Sequence, residues 1–183
     1  MKNKKVIRKS VNNRQSGKVV SINVSKEKGV KKEPVTEAFI GVHGIAGDGH
    51  SGQWHRQISI LSFESMEEIN KKGIIEVSPG DFAENITTKG INLKDLKIGD
   101  ILVIENAKKK DNLEQTLKQS NVKSSENTKK VVLGVTQIGK ECHNPCRIFY
   151  EMGSCIMPAE GIFCKVINMG KIKVGDNIHI LNK

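Results

Sequence analysis

Aromatic residues are scarce in this chain of 183 residues, which has one Trp, one Tyr and five Phe. That scarcity argues against a platform of stacked rings for single-stranded nucleic acid, in which aromatic side chains support successive bases. No run of about 18 apolar residues exists, so no membrane-spanning helix is expected. The basic N-terminus also lacks the apolar stretch of a secretory signal, and we therefore expect a cytoplasmic protein.

Cysteine is sparse as well, with four residues, and a reducing compartment disfavours a disulfide framework. Cys142, Cys146 and Cys155 lie within 14 positions, while Cys164 falls in an apolar strand pattern that predicts a small buried side chain. The Cys142-x3-Cys146 spacing does not match a zinc knuckle, so no zinc is expected. Basic residues beside Cys142 and Cys146 in the sequence instead favour a reactive thiolate.

The net charge of +10 is concentrated in two polar segments. Residues 1–17 contain six Lys or Arg and no acid, and residues 107–130 contain seven Lys against three acids. Together they account for the whole excess, which predicts no basic face on the folded part and no specific nucleic-acid binding. We expect a disordered basic tail over 1–17 and one domain over 18–183, interrupted by a low-complexity loop at about 107–130.

Short alternating segments separated by glycine turns predict a mainly β, barrel-like fold with a few short helices. The strand candidates are KVVSINVS, QISIL, DILVIENA, VVLGVTQIG, GIFCKVIN and DNIHILN. A short helix is predicted over ESMEEINKK, capped by Ser62 or Ser65. LKIGDILVI and IKVGDNIHI form a near-repeat, which indicates either two equivalent corners of one β-structure or chance similarity between short turns.

Two turn-rich stretches carry candidate binding residues. In GIAGDGHSGQWHRQ, glycines let backbone amides approach an anion, and Arg56 offers its fork of donors. The spacing fits neither a Walker loop nor the dinucleotide fingerprint, and a plain turn-rich connection is the alternative. In SPGDFAENIT, Asn85 would donate to a ligand oxygen, and Glu84 would accept a proton or orient a base. An Asx-type turn beside an apolar anchor is the alternative there.

Taken in order, several stretches resemble the MOSC domain, named for the C-terminal domain of molybdenum cofactor sulfurase. The matching segments are GIAGDGHSG, RQISILSFE, PGDFAENITTKGINL, LKIGDILVI, VTQIGKECHNPC and IMPAEGIFCKVINMGKIKVGDNIHI. They cover most of the chain from residue 17 to residue 181, apart from the 107–130 insertion. The ordered set is specific, and it indicates the small stand-alone type of this family.

The resemblance implies a mainly β, barrel-like fold that binds the molybdenum-pterin cofactor or handles sulfur destined for it. In the sulfur-carrier proposal for the family, a cysteine carries a persulfide during cofactor maturation. In catalytic relatives, a cysteine thiolate ligates molybdenum, and the enzyme reduces N-hydroxylated bases or amidoximes with external electron donors. A non-enzymatic binding module is a third alternative, and the resemblance also implies pyridoxal phosphate binding at family level.

The resemblance also assigns residues. Cys146 matches the functional thiol and molybdenum ligand, with Cys142 as its close rival. Asn85 matches an asparagine that reaches the cofactor, and Arg56 falls where relatives place a cofactor contact, with a charge that suits the pterin phosphate. Three further residues match motif positions: Asp48, His50 and Glu84. The implied partners are molybdenum cofactor biosynthesis proteins or molybdoenzymes, with a cysteine desulfurase as sulfur donor.

Overall fold

The computed structural model describes residues 15–107, 130–141 and 147–181. Eleven strands lie in these ranges: β1 Ser16–Val24, β2 Glu33–Val35, β3 Glu37–Gly41, β4 Gly44–Ile45, β5 Ile58–Ser62, β6 Ile86–Lys89, β7 Ile101–Glu105, β8 Val131–Ile138, β9 Ile162–Asn168, β10 Gly170–Lys173 and β11 Asn177–Leu181. The α-helices there are α1 Phe63–Lys71, α2 Arg147–Met152 and α3 Met157–Glu160, and a 3-10 turn spans Leu93–Asp95. No described helix is long and apolar enough to cross a bilayer.

Seven of the described strands close into a barrel in the order β1, β6, β5, β9, β8, β7, β11 and back to β1. Strand β2 adds to the side of β1, and β10, β3 and β4 form a separate small sheet. Pairing is antiparallel except between β5 and β6. Helix α1 lies in the crossover between these two parallel strands. The predicted mainly β, barrel-like fold with few short helices is confirmed.

The barrel wall separates two apolar clusters, because successive strand residues point to opposite faces. Ile58 and Ile60 of β5 join the main cluster, whereas Leu61 joins a second cluster with Met66 of α1. Phe82 and Ile148 also belong to the second cluster. It therefore ties the turn that contains Glu84 and Asn85, along with α2, to the same face of the barrel.

The near-repeat forms two equivalent corners. Asp100 accepts a hydrogen bond from the Lys97 amide at 2.8 Å, and Asp176 accepts one from the Lys173 amide at the same distance. Each corner also exchanges two backbone hydrogen bonds with a neighbouring strand, at Val135 in the first and at Val19 in the second. The corners feed β7 and β11, which pair with each other. The interpretation as equivalent corners is therefore confirmed.

Segment boundaries differ slightly from the prediction. Strand β1 begins at Ser16, two residues before the expected domain start at 18. Ser62, not Ser65, is the N-cap of α1, since its hydroxyl accepts a hydrogen bond from the Ser65 amide at 3.1 Å. The predicted insertion lies between β7 and β8, and its residues 108–129 are outside the described residues, as are residues 1–14. The elements that were not predicted from the sequence are β2, β4, β6, β10, α2 and α3.

Candidate functional site

A buried ion pair joins the glycine loop to Lys32, which lies in the connection immediately before β2. The Nζ of Lys32 donates to both carboxylate oxygens of Asp48, at 2.8 and 2.6 Å, and the two side chains are 0% and 2% exposed. A lysine is almost never fully buried unless it is paired. Asp48 is thus the anchor of the glycine loop, and Lys32 is the buried cation that holds it.

Asp48 also organises the backbone around it. Its carboxylate accepts hydrogen bonds from the amides of Ser25 and His50, at 3.2 and 2.9 Å. The Nδ1 of His50 lies 3.7 Å from Oδ1 of Asp48. Burial alone would raise the pKa of Asp48, but hydrogen bonds from His50 and Lys32 together hold that pKa below its usual value. The carboxylate is therefore the form that this environment favours.

Glu84 lies in the same buried network and is 0% exposed. Its Oε1 accepts hydrogen bonds from the side chains of Asn23 and Thr87, at 3.1 and 2.8 Å, and from the Gly80 amide at 2.6 Å. Gly80 also pairs with the backbone of Lys32, and a Cβ at Gly80 would stand 2.1 Å from the Lys32 carbonyl oxygen. Glu84 and Asp48, both singled out from the sequence, are therefore connected through Lys32.

Asn85 is 2% exposed, and its amide is engaged inside the protein. Its Oδ1 accepts hydrogen bonds from the amide and hydroxyl of Ser59, at 3.1 and 3.0 Å. Its Nδ2 lies 3.4 Å from the carbonyl oxygen of Asn23. In this arrangement Asn85 connects β5 to β1.

Burial raises the pKa of Glu84, although hydrogen bonds from Gly80 and Thr87 act in the opposite direction. A carboxyl group whose pKa rises on folding adds stability that is fully present below its unfolded pKa, about 4.3, and is lost as the pH rises through the folded value. We therefore expect the stability of wild type relative to Glu84→Gln to fall as the pH rises above that unfolded value. Urea unfolding over a pH series measures this difference. Glu76→Gln, at an exposed position, is the control, and parallel curves for wild type and Glu84→Gln would contradict the expectation.

Arg56 belongs to a second group of residues, the Arg56 cluster, formed by Trp54, His55, Arg56 and Gln137. The guanidinium carbon of Arg56 lies 4.6 Å from the centre of the Trp54 ring, within the range of a cation–π contact. Nη1 of Arg56 donates to Oε1 of Gln137 at 3.3 Å. The buried Nε of Arg56 has no hydrogen-bond partner among the described residues. The guanidinium of Arg56 is therefore held in place by Trp54 and Gln137, while its Nε–H is left without an acceptor among the described residues.

The two groups of residues are linked through His50. Nε1 of Trp54 donates to the carbonyl oxygen of His50 at 3.0 Å. Asp48 therefore fixes the backbone at His50, His50 positions Trp54, and Trp54 supports Arg56. Four of the five predicted cofactor-binding residues lie in or against the buried network, and the fifth, Arg56, is connected to it through this chain of contacts.

The chain on both sides of the Cys142–Cys146 segment is anchored near these groups. The amide of Gly139 donates to Gly161 at 2.7 Å, and that of Lys140 donates to Met157 at 3.3 Å, so residues 139–140 run against α3. After the segment, Ile148 enters the apolar cluster that contains Phe82. Cys142 and Cys146 themselves lie outside the described residues, and their predicted roles stay predictions. Cys164 is fully buried, and burial raises the pKa of its thiol.

A cleft lies at the carboxyl ends of β5 and β6, which are the ends opposite Ser59 and Asn85. It has a volume of about 380 Å³ and is lined by α1, the 90–94 segment and Glu160. Its polar groups include the carboxylates of Glu64 and Glu68 and the Lys94–Glu160 ion pair. None of the predicted cofactor-binding residues lines this cleft. Within the described ranges, no group of three or more His, Cys, Asp or Glu side chains is placed to hold a metal ion.

Lys32 and Gln137 are the functional candidates that sequence reasoning missed. Lys32 stands next to Lys31, whose side chain is 54% exposed and pairs with Asp81, so no local signal separates the two lysines. Gln137 falls within VTQIGKECHNPC, but the side of the strand that it occupies follows from a register shift between Val135 and Gln137. That irregularity has no signature in the sequence.

Comparisons with known proteins agree with this architecture. The profile of the family described as MOSC domain matches residues 47–179. No curated protein matches the chain. Among solved structures, the YuaD protein of Bacillus subtilis has a TM-score of 0.63 at 19% identity, covering 91% of this chain and 96% of that chain.

Two YiiM proteins are similar as well. That of Geobacillus stearothermophilus has a TM-score of 0.60 at 18% identity, covering 91% of this chain and 75% of its own. That of Escherichia coli has a TM-score of 0.55 at 17% identity, covering 91% and 70%. At these identities, the likeness shows the fold.

Proposed function

Because this chain belongs to the MOSC domain family, we propose that it binds the molybdenum-pterin cofactor and uses a cysteine thiolate in cofactor maturation. Cys146 is the functional thiol in this proposal, and Cys142 is the alternative. The thiolate either ligates molybdenum or carries sulfur as a persulfide. Molybdenum cofactor biosynthesis proteins or molybdoenzymes are the proposed partners, with a cysteine desulfurase as the sulfur donor.

One observation carries the proposal: a buried, unpaired donor on a guanidinium that is already held in place. Among the described residues, Nε of Arg56 is buried without an acceptor, and a buried donor of this kind costs free energy unless a ligand pairs with it. Trp54 and Gln137 fix the plane of the fork. A phosphate oxygen suits that donor, because Arg binds phosphate through parallel N–H bonds. The residues present thus fit the phosphate of the cofactor.

The buried network supports this function by fixing the two segments that carry the predicted cofactor-binding residues. Lys32 and Asp48 hold the glycine loop under His50, and Glu84 and Asn85 hold the neighbouring turn. Lys140 stands two residues before Cys142, and basic neighbours favour the thiolate that is needed to carry sulfur or to bind a metal. The cofactor, when bound, supplies the molybdenum centre.

The test is elemental analysis of protein produced in a host that makes the cofactor. We expect molybdenum in wild type, a clear loss in Cys146→Ser and in Arg56→Gln, and retention in Cys142→Ser and in Cys155→Ser, which serves as the thiol control. Intact-mass spectrometry after incubation with a cysteine desulfurase and cysteine reads the added sulfur on the same variants. Equal molybdenum and equal sulfur in wild type and Cys146→Ser would overturn the assignment of Cys146.

The same protein preparations distinguish the alternative function, reduction of N-hydroxylated compounds, from a role in cofactor maturation. Loaded protein is supplied with an electron-transfer partner and an N-hydroxylated purine, and loss of the substrate is followed. Turnover that disappears in Cys146→Ser would assign reduction to this chain. Molybdenum and sulfur loading without turnover would support the maturation role.

A further inference from the structure

Gln137 is the residue at which the Arg56 cluster meets the chain leading to the cysteines. Its Oε1 lies 2.9 Å from Nε2 of His55 and accepts from Arg56 at 3.3 Å. Its Nε2 donates to the carbonyl oxygen of Gly139 at 2.7 Å. One side-chain amide therefore contacts the cationic fork with its oxygen and the backbone at Gly139 with its nitrogen.

We propose that Gln137 is a positioning residue that holds the guanidinium of Arg56 and the peptide after Gly139 in one arrangement, so that anion binding at Arg56 and the backbone at residues 139–140 are coupled. The inference rests on the proposed phosphate site and adds the residue that transmits its occupancy. It assigns to Gln137 no contact with the reacting atoms.

The chemistry of the side chain explains why a glutamine is suited to this place. An amide presents an acceptor and a donor on one rigid plane, so the two contacts cannot move independently. A carboxylate at the same position would accept from Arg56 but could not donate to Gly139. An apolar side chain of similar length would make neither hydrogen bond. These two replacements therefore separate the two halves of the proposed role.

Hydrogen bonds of the neighbouring residues fix the backbone on both sides of Gln137. The hydroxyl of the preceding residue, Thr136, shares its one hydrogen between the carbonyl oxygens of His55 and Phe163, so the strand is fixed against the end of the glycine loop. Gly139 in turn donates to Gly161. A change in the orientation of the Gln137 amide would therefore alter the hydrogen bond to the peptide that joins Gly139 to Lys140.

The chain offers a built-in probe, because Trp54 is its only tryptophan and lies against Arg56. Titration of wild type with inorganic phosphate is expected to change the Trp54 fluorescence, and Arg56→Gln should abolish the change. The amide resonance of Lys140, which belongs to the peptide whose carbonyl group Gln137 binds, should shift in the same titration with the same midpoint.

Two variants then test Gln137. Gln137→Met should raise the phosphate Kd about tenfold, which corresponds to about 1.4 kcal/mol, and should remove the phosphate-dependent shift at Lys140. Gln137→Glu should keep the fluorescence of the free protein close to that of wild type, because the carboxylate still holds Arg56. It should weaken phosphate binding more than Met does, because the added charge competes with the anion. Gln53→Ala, at an exposed position on the same loop, is the matched control.

The outcomes are distinct. Failure of the wild-type protein to bind phosphate would contradict the proposed phosphate site. Phosphate binding that depends on Arg56 but is unchanged in Gln137→Met would overturn the positioning role alone. A Lys140 shift that persists in Gln137→Met would overturn the coupling. Thermal unfolding of each variant confirms that the fold is retained, as expected for the partly exposed Gln137.

Discussion

Replacing Lys32 by Met is expected to lower the free energy of unfolding by about 3–5 kcal/mol, because removal of one partner leaves the other charge buried and uncompensated. The carboxylate of Asp48 is 2% exposed and loses its two hydrogen bonds to Nζ. Urea unfolding followed by Trp54 fluorescence measures the change. Lys31→Met is the matched control, and its surface pair with Asp81 predicts a loss of about 1 kcal/mol or less.

The double variant Lys32→Met/Asp48→Asn tests whether the two side chains stabilise the protein as a pair. It should cost clearly less than the sum of the two single variants, because neither charge is then left alone in the interior. Additive costs would show that the two side chains act independently, which would contradict the role of the pair as one unit.

The pair also has a pH signature. The pKa of Asp48 is lowered in the folded protein, so its contribution is present above its unfolded pKa, about 3.9, and is lost as the pH falls toward the folded value. In Lys32→Met this loss on acidification should shrink, because Asp48 no longer has its cation. Unfolding curves that run parallel from neutral to acidic pH in the two proteins would count against the assignment.

Replacing Gly139 by Ala is the second change with a large expected effect. Gly139 has φ of 70°, and an added Cβ would stand 2.0 Å from the carbonyl oxygen of Pro158. The left-handed conformation costs an alanine roughly 1–2 kcal/mol, and the clash with backbone adds a further 1–3 kcal/mol or so. We expect a total loss of about 2–5 kcal/mol in the free energy of unfolding.

Gly153→Ala is an unusually close control for this variant. Gly153 also has φ of 70°, but nothing lies within 4 Å of the added Cβ. It should therefore show only the conformational cost, roughly 1–2 kcal/mol. The excess in Gly139→Ala reports the contact with α3. Loading with molybdenum should fall in Gly139→Ala and stay near wild type in Gly153→Ala, since residue 139 contacts Gln137 and α3 together. Equal costs in the two variants would show that the close approach to Pro158 does not matter.

Much of the barrel follows from local patterns. Strands β8 and β11 were readable because they bury every second residue. Strands β1, β5, β7 and β9 do not alternate strictly, and they were readable as short runs rich in Val and Ile between turn residues. The cap at Ser62 and the Gly-Asp corners were readable because turn chemistry depends on adjacent residues. The short strands β2, β4, β6 and β10 were not predicted, since two to four residues carry too little periodicity to stand out. The ordered motifs supplied the family, and with it the choice of Cys146, Asn85 and Arg56.

The sequence by itself determined the fold class, the position of the glycine loop and the residue types available for an anion and a thiol. Only the tertiary structure decided which of two adjacent lysines is buried, because Lys32 finds Asp48 16 positions away while Lys31 stays exposed. It likewise brought Gln137 to Arg56 across 81 positions. Strand periodicity and capping are properties of neighbouring residues, whereas the burial of a charge depends on which distant group arrives to compensate it.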